Sequence, residues 1–77
     1  MNVDDRVRAV VRRIAPGLDG SFSATADLYR ELGVKSVAAL DLLLALEEEF
    51  KVSIDDEAFG EARTVQKLAA MIEPKLG

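Results

Sequence analysis

Val37-Ala38-Ala39-Leu40-Asp41-Leu42-Leu43-Leu44-Ala45-Leu46-Glu47-Glu48-Glu49-Phe50 is an unbroken run of strong helix formers, with Leu at 40, 42, 43, 44 and 46 and no Gly or Pro inside. Such a run predicts an α-helix that starts just after Ser36. At roughly 100° per residue, Ala39, Leu40, Leu43, Leu46 and Phe50 are expected to share a core face, while Val37, Asp41, Leu44 and Glu48 line another. The second face mixes apolar residues with acids, the composition of a docking surface.

Upstream, Val3, Val7, Val10, Val11 and Ile14 recur at helical spacing, with Asn2 as the expected N-cap and Pro16-Gly17 as the stop. Arg6, Arg8, Arg12 and Arg13 of this helix stand among Asp4 and Asp5, so pairing within the molecule or solvation is expected of them rather than a binding patch. From Pro16 to Gly33 the pattern lapses into turn residues, a connection longer than most compact domains tolerate. Phe22, Leu28, Tyr29 and Leu32 are expected to bury it against the helices, with a helical turn over Asp27 to Leu32. Downstream, Val52 and Ile54 lead into a short turn or helix over Asp55 to Phe59 that Gly60 closes. Thr64 is expected to cap a last helix containing Val65, Leu68, Ala69 and Ile72, which Pro74 ends. The expected fold is all-α, a four-helix bundle of three longer helices and one short one.

The 77 residues suffice for one apolar core, so residues 1–77 are read as a single domain. A core of this size supplies a net stability on the order of 3–5 kcal/mol. With no Cys and no His, the chain lacks the usual nucleophile, the usual neutral-pH base and the usual zinc ligands, so neither catalysis nor a metal site is expected. No apolar run reaches bilayer-spanning length, and the acidic start Met1-Asn2-Val3-Asp4-Asp5-Arg6 does not read as a signal peptide, so a cytoplasmic protein is expected. Residues 31 to 77 hold five basic and ten acidic side chains, net −5. That surface repels nucleic acid and anionic membrane and favours partners rich in Arg and Lys, although acids also serve simply to keep a small protein dissolved.

The segment Asp27-Leu28-Tyr29-Arg30-Glu31-Leu32-Gly33-Val34-Lys35-Ser36-Val37, running into Leu40-Asp41 and on to Leu46-Glu47-Glu48-Glu49-Phe50, resembles the acyl carrier protein family. Val52 to Asp56 and Thr64-Val65-Gln66 continue the likeness without a gap, so that it covers Asp27 to Ile72. The resemblance implies that Ser36 receives 4′-phosphopantetheine from coenzyme A, through a phosphopantetheinyl transferase. It also implies that acyl-loading and acyl-processing enzymes with basic docking patches read Val37, Asp41, Leu44, Glu47 and Glu48. Leu40, Leu42, Leu43, Leu46, Phe50, Ile54, Phe59 and Leu68 are expected to form the core, some of them lining a cleft for the carried chain.

The site's physical chemistry agrees with that implication. A phosphodiester on Ser36 would lie by the unpaired N–H groups and positive dipole end of a helix start, and Gly33 lets the backbone turn just before it. Ser36 also has a plainer reading as an N-cap, and the acids have one as a solvated face. Two residues depart from the family pattern beside Ser36. Val37 stands where Leu is commonest, and Lys35 stands where the family generally has Asp, reversing a charge. Ala38 also stands where the family often has an acid, Ala62 where it tends to have Ile, and Phe59 where it tends to have a small residue. Asp55 to Gly60 resembles the start of a calcium loop only superficially, because Phe59 and Gln66 occupy ligand positions.

The function expected is covalent carriage of acyl groups as thioesters, for fatty-acid-type or specialised biosynthesis, by a monomer that binds neither nucleic acid nor membrane. Two alternatives stand beside it: a carrier of an amino acid or polyketide unit, and an unmodified carrier-like interaction protein.

Overall fold

A computed structural model describes residues 2–76. Its helices are α1 (Val3–Ile14), α2 (Ala39–Phe50), α3 (Asp56–Glu61) and α4 (Val65–Ile72), with a 3₁₀ turn over Ser36–Ala38 leading into α2 and another over Glu73–Leu76 after α4. The described residues are thus all helix, turn and loop, the expected all-α bundle of three longer helices and a short one.

Local chemistry sets three of the four helix starts. Asn2 Oδ1 accepts the Asp5 N–H at 2.8 Å, Asp55 Oδ2 accepts the Ala58 N–H at 2.9 Å, and Thr64 Oγ1 accepts the Lys67 N–H at 3.1 Å. Each satisfies a donor that the helix cannot pair. In α1, Asp4 and Asp5 in the first turn and Arg12 and Arg13 in the last also complement the helix dipole. α3 departs from expectation at its end, since Gly60 lies inside the helix. The Ala62 N–H closes onto Phe59 O at 3.1 Å, so the chain leaves α3 without needing a left-handed residue.

α1 packs against both α2 and α4. The core is wholly apolar among the described residues, with Val7, Val10 and Val11 of α1, Leu42, Leu43, Leu46 and Phe50 of α2, and Val65, Leu68, Ala69 and Ile72 of α4 at its centre. Leu40, expected in this core, is 63 % exposed. At about 100° per residue it points about 120° away from Leu46 and about 80° from Phe50, so rotating it inward would carry Leu42, which is fully buried, out to solvent. The arginines of α1 are used internally, as expected: Arg6 bonds Glu49 at 3.2 Å and lies over the Phe50 ring, Arg13 reaches Glu49 at 3.8 Å, and Arg8 lies over Phe22 and donates to its carbonyl.

The long connection between α1 and α2 is a packed structure. Leu28 is completely buried, its N–H donates to Arg63 O at 2.8 Å, and the Gln66 N–H donates to Ala24 O at 2.9 Å. Asp27 starts the expected helical turn, accepting the Tyr29 and Arg30 N–H groups on Oδ1 while its carbonyl takes the Glu31 and Leu32 N–H groups. The same carboxylate grips Arg63, with Nε at 2.8 Å from Oδ2 and Nη2 at 3.3 Å from Oδ1, and Arg63 also stacks on Tyr29 at 4.8 Å. These contacts clasp the connection to the segment between α3 and α4. Gly33, at φ 77, then turns the chain toward Ser36 in a conformation that costs other residues more.

Two predictions follow from this packing. Leu28→Ala, although in a loop, is expected to cost about 2–5 kcal/mol, as much as Leu42→Ala, whereas Leu40→Ala changes stability by no more than about 0.5 kcal/mol. Urea unfolding of the three variants checks this, and a large loss for Leu40→Ala would contradict the rotation of α2. The second concerns Asp27, whose carboxyl is held down to about 2, first by the Arg63 hydrogen bonds and then by the Arg30 N–H. Because its folded pKa lies below its unfolded value, its contribution to stability is present above about pH 4 and is lost as pH falls from there toward about 2. Asp27→Asn is therefore expected to lower the melting temperature at pH 6, with the gap to wild type closing by pH 2; a gap that does not depend on pH would show that the carboxylate charge is not what holds the clasp.

Candidate functional site

Burial of Leu42, Leu43, Leu46 and Phe50 turns the N-terminal end of α2 so that Ser36 stands exposed at its approach. Ser36 is the first residue of the 3₁₀ turn and not its cap. Lys35 occupies the cap position, in extended conformation, and no side chain caps the turn. The Ser36 hydroxyl is therefore not consumed in starting the helix, and the first N–H groups of the turn lack helical partners.

Ser36 lines a groove of about 280 Å³ together with Tyr29, Ala39, Phe59, Gly60 and Arg63. Ala39 lies on the core side of α2 but is only half-buried, because the core stops short of this end of the helix. Phe59, the large residue at a position expected to be small, is buried to 6 % exposure and forms part of the groove's inner wall. A second, larger groove of about 420 Å³ lies on the other side, lined by Lys35, Val37 and Ala38 with Leu18, Leu32 and neighbouring residues.

Along the 3₁₀ turn and α2, Val37, Leu40 and Leu44 are 84, 63 and 54 % exposed, and Asp41 and Glu48 are exposed with them. These residues share one side of the helix, so the apolar-and-acidic face read from the sequence is present and Leu40 joins it. Glu47 differs from the others. It is half-buried, and its Oε2 accepts the Ile54 N–H at 2.8 Å, securing the chain after α2, where Lys51 adopts a left-handed conformation. Its carboxylate is committed inside the molecule because the chain folds back against α2 at this point.

Arg63 and Tyr29 are the groove residues that sequence reading missed as site candidates. Burial raises the Tyr29 pKa, and the Asp27 hydrogen bond raises that of Arg63, keeping the guanidinium charged. A basic residue just before a helix cap gave no indication that its partner was Asp27, 36 residues away. Among the described residues, no group of His, Cys, Asp or Glu could hold a metal ion, and no helix is long and apolar enough to cross a membrane.

Residues 5–72 match a family model described as a phosphopantetheine attachment site. The chain is 30 % identical to an acyl carrier protein of Buchnera aphidicola subsp. Acyrthosiphon pisum over 74 residues, 96 % of this chain and 92 % of that one. It is 29 % identical to an acyl carrier protein of Trieres chinensis over 68 residues, 88 % and 85 % of the two chains. It is 36 % identical to one from Phaeodactylum tricornutum over 58 residues, 74 % and 76 %. A helical bundle of this form, with a phosphopantetheine attachment region covering most of its length, places the chain in the acyl carrier protein family.

Proposed function

We propose that Ser36 is the attachment point of 4′-phosphopantetheine and that the chain, as a single carrier domain over residues 1–77, presents acyl groups to partner enzymes as thioesters on that arm. The observation that carries this reading is the exposed Ser36 at the approach to α2, uncommitted as a cap, within the region that matches the family. The group fits the residues present. The Ser36 hydroxyl would hold the phosphodiester, the unpaired N–H groups of the turn and the exposed Lys35 ammonium favour its negative charge, and a groove opens on either side. When attached, the arm supplies a thiol, which the chain's own side chains lack.

The chain's own part is address and restraint, as a monomeric cytoplasmic carrier rather than a catalyst. Val37, Leu40 and Leu44 offer apolar contact and Asp41 and Glu48 offer charge to enzymes with basic patches, the transferase among them. Glu47 supports this face by fixing the end of α2. Lys35, a cation beside the modified hydroxyl, favours a specialised carrier over one that serves fatty-acid synthesis in general.

With coenzyme A, magnesium and a broad-specificity transferase, the protein is expected to gain the mass of one arm and Ser36→Ala to gain none. An unchanged wild-type mass with several transferases, or a modified Ser36→Ala, defeats the proposal. In the same assay, Lys35→Asp is expected to speed modification severalfold with a transferase that serves standard carriers, since one exposed charge contact is worth less than about 1 kcal/mol. Reversing Asp41 and Glu48 together should slow association and flatten its salt dependence. A slower Lys35→Asp would show that the cation assists attachment, and would remove the main support for a specialised carrier.

A further inference from the structure

We propose that the groove between Ser36 and Arg63 receives a short acyl group bearing a neutral hydrogen-bond-accepting oxygen, a keto or hydroxyl group, in preference to a saturated chain or one ending in a carboxylate. This deepens the carrier reading and rests on it. The groove's polar wall is held in place before any ligand arrives. Arg63 is fixed by two hydrogen bonds to Asp27 and by stacking on Tyr29, and among the described residues its remaining N–H donors have no hydrogen bond.

Donors held in this way lose less freedom on meeting an acceptor than those of a free surface arginine. Filling the groove with a saturated chain would instead shield those N–H groups from water without returning a partner. The Asp27 carboxylate already balances the guanidinium charge and repels a second carboxylate, which leaves a neutral acceptor as the better match.

Size points the same way. At about 280 Å³ the groove lies just below the range of about 300–1,000 Å³ typical of pockets that enclose a whole small molecule. Phe59, almost fully buried, lines it with its large ring where a small residue would leave more room. A short acyl group suits a groove of that size better than a long one. Tethering at Ser36 keeps the acyl group at high effective concentration over the groove, so modest selectivity suffices to seat it.

The chain has no Cys, so Ser36→Cys provides a single thiol to which pantetheine-like thiols can be joined as mixed disulfides. Three amide-linked probes would be attached this way, carrying hexanoyl, 3-oxohexanoyl and succinyl groups, and the ¹⁵N–¹H signals of the Arg63 side chain and of the Tyr29 and Gly60 backbone followed. The 3-oxohexanoyl probe is expected to shift these signals most and to occupy the groove roughly fivefold more than hexanoyl, the effect of one net hydrogen bond. Arg63→Met should abolish that preference. Gly60→Leu should reduce occupancy by both chains, since Gly60 lines the groove and a Cβ there meets no other atom within 4 Å. Equal or larger shifts from hexanoyl or succinyl, or shifts centred on Leu18 and Leu32 in the other groove, would overturn the inference. Failure of a transferase to modify Ser36 would count against the carrier reading alone, because the disulfide probes reach the groove without it.

Discussion

Leu42 and Leu46 lose all contact with solvent, and their burial holds α2 at one rotation about its axis. Every chemical property of the surface depends on that angle. With these two residues and Phe50 turned inward, Val37, Leu40 and Leu44 must face out, and Ser36 must stand at the open end of the helix. The stabilising side of α2 and the presenting side are therefore one decision made by the same buried residues, Leu42, Leu43, Leu46 and Phe50. Because the buried side chains among the described residues are all apolar, no internal hydrogen-bond network competes with hydrophobic burial in setting the angle.

What was legible in the sequence was what short-range physics decides. Asn2 and Thr64 could be recognised as caps because a cap and its helix are neighbours in sequence, and the valine spacing of α1 fixes its buried side in the same way. The apolar-and-acidic face of α2 was also visible, apart from one residue. Leu40 falls on a core stripe by spacing alone because a Leu-rich helix offers several such stripes, and the packing of α1 against α2 selects among them. Glu47 looked like its neighbours Glu48 and Glu49 until the returning chain brought the Ile54 N–H within reach. The Asp27–Arg63 pair was invisible for a stronger reason: neither residue has a local pattern that names the other.

The candidate site is assembled from parts with different origins. Ser36 comes from the start of a helix, Phe59 and Gly60 from a six-residue helix capped by Asp55, and Tyr29 and Arg63 from connecting segments. Connections usually carry variation while helices carry the fold. Here Ser36 belongs to the approach of α2, a helix held by four buried residues, whereas the polar wall beside it belongs to loops. Such an arrangement lets the wall beside Ser36 change without disturbing how the hydroxyl is presented.

The clasp also divides the molecule into two kinds of dependence. α1, α2 and α4 take their backbone hydrogen bonds from within a few turns of chain, whereas the bond from Asp27 to Arg63 closes a span of 36 residues and exists only where two connecting segments are docked against each other. The polar wall of the groove therefore rests on a half-exposed ion pair, and the rotation of α2 that sets Ser36 at the surface rests on buried leucines. Acid or salt, which weaken the first and leave the second untouched, would loosen the wall without moving the serine hydroxyl.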